Sequence, residues 1–385
     1  MDLNSTMKKF NNLFKRRWRR LFRTCICISI IYVIVSCAAT PQLRKSVRID
    51  DVKPIKELVK VSIGGVDQWL LIRGANPDNP VFLFLHGGPG AAEMPLLRHY
   101  NYELEKYFTV VMWDQRGAGK SNKHLIPPES IRMDQLLEDT HEVIQYLKNR
   151  FYKQKIFLAG HSFGTVLGIK VIKAHPEDFY AYVGIGQVVD MKRNIESSYQ
   201  LCLDLANNMG SIKDIRIFSG MKINGRFSGG NDLEKAIYMR DWIAKNGRIV
   251  YDRKNLNNLA FVVITAPEYS FLEKLKYMKG QNRSRQLLWS PELLEVDFFT
   301  EAPRLEVPVY FIAGKYDYIT SNTLTREYFY FVDAPYKELV EFEKSAHCAI
   351  FEEPQKFNWL MINKVLYNVF QNEGENYFVS KPLIK

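Results

Sequence analysis

Short, fully apolar runs that alternate with helical patterns constrain this 385-residue chain more than any other feature. Strands that are apolar on both faces are typical of a parallel sheet covered by helices on each side. We therefore expect an α/β fold. The strand-like runs are VFLFL (81–85), FTVVMW (108–113), KIFLAG (155–160), YAYVGIG (180–186) and VPVYFIAG (307–314).

Helical patterns and one hairpin lie between and around these runs. Residues 133–151 have apolar side chains at helical spacing, and Phe163–Ala174 predicts a second helix that ends before a His-Pro pair. LVKVSIGGVDQWLLIRG (58–74) predicts two strands joined at a Gly-Gly turn. Near the end of the chain, ELVEFE (338–343) predicts a last strand and residues 351–370 predict a closing helix.

Residues 190–300 interrupt this alternation. They are helix-like and rich in Tyr, Asn, Lys and Arg, with LAFVVI (259–264) as the one candidate strand. We expect this block to form a helical lid over the strand ends. The core then comprises residues 58–189 and 301–385, and the charged stretch 41–57 is predicted to be a tether.

The first 40 residues carry a separate signal. Residues 1–23 contribute about +7 of the formal net charge of +11, and an uncharged apolar run of seventeen residues follows at 24–40. That length is the lower limit for spanning a bilayer. The interpretations are an uncleaved signal anchor, a lipoprotein-type signal whose IVSC resembles a bacterial lipobox ending at Cys37, and a buried core helix. The first two predict membrane attachment, with the rest of the chain on the extracytoplasmic side.

Charge and cysteine usage argue against several function classes. Most of the positive charge lies in the first 23 residues, so we expect no nucleic-acid partner. GKS in DQRGAGKS (114–121) resembles a phosphate loop, but Asp114 stands where that loop needs glycine, so no nucleotide site is expected. The five cysteines form neither a disulfide framework nor a CxxC pattern, and we predict no metal or cofactor.

GHSFG (160–164) lies between a predicted strand and a predicted helix. That context is the one required for a G-x-S-x-G nucleophile elbow, in which Ser162 is exposed at the tip of a sharp turn. The alternative interpretation is an ordinary glycine-rich turn. A serine nucleophile needs a base, and the base needs a group that orients it.

The expected chain order is serine, acid and histidine. Asp317 follows the strand-like run 307–314, and His347 follows the last predicted strand. Of the seven histidines, only His347 comes after Asp317. Asp333 is the rival acid, but it lies in a VDAP turn before a strand and fits the position less well.

HGGPG (86–90) follows the first fully apolar strand and is the candidate loop for an oxyanion hole. One backbone donor is expected from Phe163 and another from Gly87 or Gly88, since the proline of this loop has no N–H. We expect His86 to brace the loop rather than to act as the base.

Taken together, HGGPG, DQRGAGKS and GHSFG, with Asp317 and His347, resemble the α/β-hydrolase superfamily and, within it, the proline iminopeptidase-like serine peptidases. The resemblance covers about residues 58–371. It implies a mostly parallel eight-stranded sheet with a helical cap inserted between strands six and seven. It also implies that Ser162 is the nucleophile, His347 the base and Asp317 its partner, with Gly88 and Phe163 as oxyanion donors.

The cap departs from the family pattern. Proline iminopeptidases hold the substrate amine with carboxylates in a tryptophan-rich motif. This cap lacks that motif, and Glu196 and Asp241 are the acids we single out as candidates for the role. We expect a membrane-tethered serine hydrolase that releases an N-terminal residue from small peptides. The alternatives are a carboxylesterase or small-amide hydrolase and, from another class, a non-catalytic ligand-binding protein of this fold.

Overall fold

A single large sheet forms the centre of the molecule. The computed structural model describes residues 17–18, 22–24, 53–122, 126–223, 226–227 and 232–372. The strands are β1 (Ile55–Ile63), β2 (Val66–Gly74), β3 (Val81–Leu85), β4 (Thr109–Asp114), β5 (Ile156–His161), β6 (Phe179–Ile185), β7 (Lys222–Ile223), β8 (Arg226–Phe227), β9 (Val309–Gly314) and β10 (Lys337–Phe342).

The sheet has eight strands in the order β1-β2-β4-β3-β5-β6-β9-β10, while β7 and β8 form a separate small hairpin. The pairs β1–β2 and β2–β4 are antiparallel, and all the other neighbours in the large sheet are parallel. Every residue of β3, β4, β5 and β9 is buried. The prediction of an α/β fold with a mostly parallel eight-stranded sheet is confirmed.

Helices cover both faces of the sheet. Along β3, Leu83 and Leu85 pack into one hydrophobic cluster with Val166, whereas Phe82 and Phe84 pack into the opposite cluster. The helices are α1 (Met94–Tyr100), α2 (Met133–Phe151), α3 (Phe163–Ala174), α4 (Met191–Asn208), α5 (Ile212–Ser219), α6 (Asp232–Lys245), α7 (Arg253–Thr265), α8 (Phe271–Leu288), α9 (Pro291–Leu294), α10 (Phe298–Glu301), α11 (Asn322–Phe331), α12 (Ala349–Glu352), α13 (Pro354–Leu360) and α14 (Tyr367–Asn372). Short 3-10 turns lie at Tyr102–Lys106, Gly119–Ser121, Pro128–Ser130 and Pro176–Asp178, and a π-helical turn at Met361–Leu366.

The chain between β6 and β9 contains α4 to α10 and the small hairpin, and we call this segment the cap. The predicted strand at 259–264 is wrong, because these residues lie within α7. Leu259 and Val262 are buried there, whereas Phe261 and Ile264 are more than half exposed. Burial that repeats at a spacing of three residues is typical of a helix face. The sequence of a short apolar run does not by itself distinguish a helix from a strand.

Two boundaries also differ from the sequence expectation. Strand β1 begins at Ile55, inside the predicted tether of 41–57, and residues 41–52 of that tether lie outside the described part of the chain. The closing helix of 351–370 is divided, with α13 beginning at Pro354. Proline has no backbone N–H to continue a preceding helix, so it marks a new first turn.

In the predicted N-terminal membrane segment, the residues from Cys25 to Thr40, including Cys37, lie outside the part of the chain that the structure describes. In the part of the chain that the structure describes, none of the helices combines the length and the apolar character needed to cross a bilayer.

Candidate active site

Ser162 occupies a strained turn between β5 and α3. Its φ is 53° and its ψ is −120°, a conformation that L-residues with side chains rarely adopt. A side chain at Gly160 would meet the backbone of Gly164, and one at Gly164 would meet the backbone of Leu85. The two glycines of GHSFG are therefore required by close packing, and the turn between them presents Ser162.

Asp317 and His347 form a buried pair at the ends of neighbouring parallel strands. The Nδ1 atom of His347 lies 2.9 Å from Oδ2 of Asp317 and 3.1 Å from Oδ1. The same carboxylate accepts hydrogen bonds from the backbone N–H groups of Ile319 and Thr320 and from the Thr320 hydroxyl. Burial alone would raise the pKa of Asp317, but His347 and these donors outweigh it and hold the pKa below its ordinary value.

Backbone contacts bring this pair to the serine turn. The N–H of Ser162 donates to the carbonyl of Ile185, and a Cβ at the next residue, Gly186, would lie 3.3 Å from Cε1 of His347. His161, the neighbour of Ser162, has its Nε2 2.9 Å from the carbonyl oxygen of His347. Serine, histidine and acid therefore converge at the carboxyl edge of the sheet.

The two glycine candidates for the oxyanion hole differ in their contacts. The N–H of Gly87 donates to Oε2 of Glu93 at 3.2 Å, which disfavours Gly87 as a donor to substrate. Gly88 and Phe163 both line the cavity that contains Ser162. Phe163 is the first residue of α3, where a backbone N–H has no partner within the helix and the helix dipole favours negative charge.

His86 braces the HGGPG loop. Its Nε2 accepts from the N–H of Gln115 at 3.2 Å, so its Nδ1 carries the proton and donates to the carbonyl of Gly87 at 2.9 Å. Burial lowers the pKa of His86 and keeps the imidazole neutral. Gln115 belongs to the DQRG stretch, and its side chain also donates to the carbonyl of His86.

A second buried acid–histidine pair lies beside the first. The Nδ1 atom of His161 is 2.7 Å from Oε1 of Glu93, and both ring nitrogens of His161 face acceptors. Burial alone would lower the pKa of His161 and raise that of Glu93. The attraction between the two groups outweighs burial, so the pKa of His161 is raised and that of Glu93 is lowered. The raised pKa and an acceptor at each ring nitrogen both favour the protonated, cationic form of His161.

The DQRG stretch also fastens the cap to the core. Asp114 accepts from the Tyr269 hydroxyl and from the N–H of Lys120, and the Ser284 hydroxyl donates to the carbonyl of Gly117. Burial raises the pKa of Asp114 to about 7. This stretch therefore has a structural role here.

Three other candidate acids lie elsewhere. Asp333 pairs with Arg304 at 3.1 Å and is largely exposed. Glu196 pairs with Lys222, and Asp241 pairs with Arg285. Neither Glu196 nor Asp241 is among the described residues that line the Ser162 cavity. The structure therefore does not bring the two predicted amine-binding carboxylates to the serine.

The cavity beside Ser162 is mainly apolar and opens between core and cap. On the core side its wall includes Val166 and Val188. The cap contributes most of the remaining wall. The cap residues that line it are Met191, Asn194, Ile195, Ser198, Ala236, Met239, Arg240, Ile243, Trp289 and Leu293.

Sequence reasoning did not assign roles to Glu93, His161 and Gln115. His161 stands directly before Ser162, and Glu93 follows HGGPG closely, so their positions in the chain were suggestive. The contact between them joins residues 68 positions apart, and a single sequence contains no sign of such a pairing.

Comparison with known proteins agrees with this geometry. The family model for the serine aminopeptidases S33 matches residues 80–354. A probable aminopeptidase of Bacillus subtilis (strain 168), YbaC, is 35% identical over 313 residues, which is 80% of this chain and 96% of that protein. A proline iminopeptidase of Heyndrickxia coagulans is 23% identical over 71% of this chain and 86% of its own length.

Solved structures share the fold. The crystal structure of the Mycobacterium smegmatis proline iminopeptidase superposes with a TM-score of 0.56 at 16% identity, covering 82% of this chain and all of that one. The family model spans more than half of the chain, and the similarity to YbaC covers nearly all of that relative. The chain therefore belongs to the S33 serine aminopeptidase family of α/β-hydrolases, in the proline iminopeptidase-like group.

Proposed function

We propose that this serine hydrolase works through an acyl-enzyme on Ser162. The observation that supports it most is the strained Ser162 turn next to the buried Asp317–His347 pair. A nucleophile, a base and a group that orients the base form the arrangement that acyl transfer requires.

The first half of the reaction forms the ester. The Oγ of Ser162 attacks the substrate carbonyl carbon while Nε2 of His347 takes the hydroxyl proton. Asp317 stabilises the resulting imidazolium through Nδ1. The N–H groups of Gly88 and Phe163 bind the oxyanion, and His347 then gives its proton to the leaving amine or alcohol as the C–N or C–O bond breaks.

The second half of the reaction releases the acyl group. A water molecule attacks the ester carbonyl, and Nε2 of His347 takes a proton from that water. The oxyanion again accepts hydrogen bonds from the N–H groups of Gly88 and Phe163. Collapse breaks the bond to Ser162, whose Oγ recovers its proton from His347, and the carboxylic acid leaves.

We propose peptides as the first substrate class, with release of a single N-terminal residue such as proline. The support is the family and the descriptions of its relatives, a probable aminopeptidase and proline iminopeptidases. A carboxylic ester or small amide is the second candidate. The mainly apolar cavity, lined by neither Glu196 nor Asp241, favours that second class.

The experiment compares kcat/KM for prolyl 4-nitroanilide with kcat/KM for short-chain 4-nitrophenyl esters, on the wild type and on Ser162→Ala. An aminopeptidase is expected to cleave the anilide, and Ser162→Ala is expected to lose both activities. Turnover of the esters without turnover of the anilide would overturn the peptidase proposal and leave the hydrolase intact.

We also propose that the N-terminus attaches the enzyme to a membrane, with the catalytic part on the extracytoplasmic side. The basic block of residues 1–23 and the apolar run 24–40 support this proposal. Mass spectrometry of the mature N-terminus distinguishes its two forms. Lipidated Cys37 is the lipoprotein result and an intact Met1 or Met7 is the anchor result, whereas an unlipidated N-terminus beyond residue 40 would contradict both.

A further inference from the structure

The cap places an arginine, Arg240, in the wall of the cavity beside Ser162. Arg240 lies on α6 between the apolar wall residues Met239 and Ile243, and its side chain is 17% exposed. Among the described residues its one ion-pair contact is with Asp241 at 3.8 Å. Asp241 has a closer partner in Arg285. The guanidinium of Arg240 is therefore only weakly neutralised by the protein.

A second donor on the same wall has no acceptor. Trp289 is 9% exposed, and its indole N–H is buried without a hydrogen-bond partner among the described residues. A buried donor left without an acceptor destabilises the protein, so such a group usually meets an acceptor in the functional state. Trp289 lines the Ser162 cavity together with Arg240.

The remaining amide of the wall is already committed to the protein. The side chain of Asn194 donates to the carbonyl of Ile319 at 3.0 Å and accepts from the N–H of Ser321 at 2.8 Å. It therefore joins α4 to the loop that carries Asp317. Among the described residues of the wall, the nitrogen donors with capacity to spare are the Arg240 guanidinium and the Trp289 indole, and the Ser198 hydroxyl lies on the same wall.

We propose that Arg240 and Trp289 form a subsite for a carboxylate of the substrate. This inference rests on the proposed function, since it names the substrate class of the same site. A carboxylate accepts hydrogen bonds only, and it matches both a guanidinium fork and an indole N–H. A protonated amine needs acceptors and negative charge, whereas this part of the wall offers donors and positive charge.

The carboxylate has two chemical sources. It is either the C-terminus of a very short peptide, on the leaving-group side, or the distal acid of a dicarboxylic acyl group, on the acyl side. Both present the same group to Arg240 while the scissile carbonyl lies at Ser162. Met239 and Ile243, which lie on the same helix and line the same cavity as Arg240, are expected to contact the intervening carbon chain.

The test uses two matched pairs of substrates, Pro-Gly against Pro-Gly amide and mono-(4-nitrophenyl) glutarate against 4-nitrophenyl pentanoate. In at least one pair, the wild type is expected to prefer the carboxylate by about tenfold or more in kcat/KM. The pair that shows the preference identifies the source. Arg240→Gln is expected to lower kcat/KM for that carboxylate substrate by about 10- to 100-fold and to leave its neutral partner nearly unchanged.

Trp289→Phe removes the N–H and keeps an aromatic ring, so it is expected to cost about 3- to 10-fold on the carboxylate substrate alone. Arg193→Gln is the matched control, because Arg193 is an exposed cap arginine paired with Glu327. It is expected to change neither substrate pair.

Two outcomes separate this inference from the proposed function. Turnover of neutral esters with no preference for the carboxylate in either pair, or an equal loss on both partners in Arg240→Gln, would overturn the subsite and leave the serine mechanism standing. Turnover of no substrate, together with no covalent labelling of Ser162, would overturn the proposed function and this inference with it.

Discussion

Two acid–histidine pairs, Asp317–His347 and Glu93–His161, lie next to each other, with the two imidazole centroids 4.9 Å apart. Both pairs are buried, and each joins Nδ1 of a histidine to a carboxylate. They differ at the other ring nitrogen. Nε2 of His161 faces the carbonyl oxygen of His347, so both nitrogens of His161 are engaged by the protein.

This difference distinguishes Asp317–His347, which we call the reacting pair, from Glu93–His161, which we call the bracing pair. Catalysis by His347 needs Nε2 to exchange a proton with Ser162 and the leaving group. His161 has both protons held by acceptors, and the same acid, Glu93, also accepts from the N–H of Gly87. The bracing pair therefore connects three parts of the site: the HGGPG loop, the residue before Ser162 and the loop of His347.

The largest expected effect comes from breaking the reacting pair. Asp317→Asn keeps the shape of the side chain but no longer holds His347 in the required tautomer or stabilises its cation. We expect kcat to fall by about 1,000- to 10,000-fold, as measured by steady-state hydrolysis of the best ester or anilide. Glu177→Gln is the control, because Glu177 is an exposed acid 3.8 Å from His175. A loss under tenfold in Asp317→Asn would mean that another acid, or none, supports the base.

Breaking the bracing pair is expected to act on stability more than on chemistry. Glu93→Gln leaves His161 buried without its charge partner, and the free energy of unfolding is expected to fall by about 3 kcal/mol in denaturant titrations. The activity is expected to fall by about tenfold, because the loops shift while Ser162, His347 and Asp317 remain. An activity loss as large as that of Asp317→Asn, at unchanged stability, would show that Glu93 takes part in the reaction itself.

The core was predictable because its signals are local. Apolar runs mark β3, β4, β5 and β9, and GHSFG marks the turn by glycines that the packing requires. The position of Asp317 and His347 followed from their order along the chain after two strands, since parallel strands end at the same edge of the sheet.

The cap was less predictable because its specificity depends on contacts that are distant in sequence. The predicted amine anchors Glu196 and Asp241 are paired with Lys222 and Arg285, which no spacing rule anticipates. Arg240 next to Asp241 looks like an ordinary surface charge in the sequence, and only the fold turns it toward the serine cavity.

Helix α11, which lies outside the cap, was not predicted either, since its aromatic and β-branched residues have weak helix propensity.

The smallest expected effect is the pH dependence of the bracing pair. The raised pKa of His161 adds stability that is fully present below its ordinary value of 6.5 and is lost as the pH rises through the raised value. The lowered pKa of Glu93 adds stability above its ordinary value of 4.5 that is lost as the pH falls through the lowered value.

The stability difference between the wild type and Glu93→Gln is therefore expected to be greatest between pH 4.5 and 6.5 and to shrink on both sides. Denaturant unfolding of both proteins at several pH values measures it. A difference that stays constant as the pH rises through and above 6.5 would show that His161 is neutral in the folded protein, with a hydrogen bond to the Glu93 carboxylate but no ion pair.

Covalent labelling tests most directly whether Ser162 is the nucleophile. A fluorophosphonate probe followed by intact-protein mass spectrometry is expected to add one label to the wild type, at Ser162. Ser162→Ala is expected to take none, while Ser198→Ala, which removes another serine hydroxyl from the same cavity wall, keeps the label. Equal labelling of Ser162→Ala, or a label that disappears in Ser198→Ala instead, would contradict the assignment.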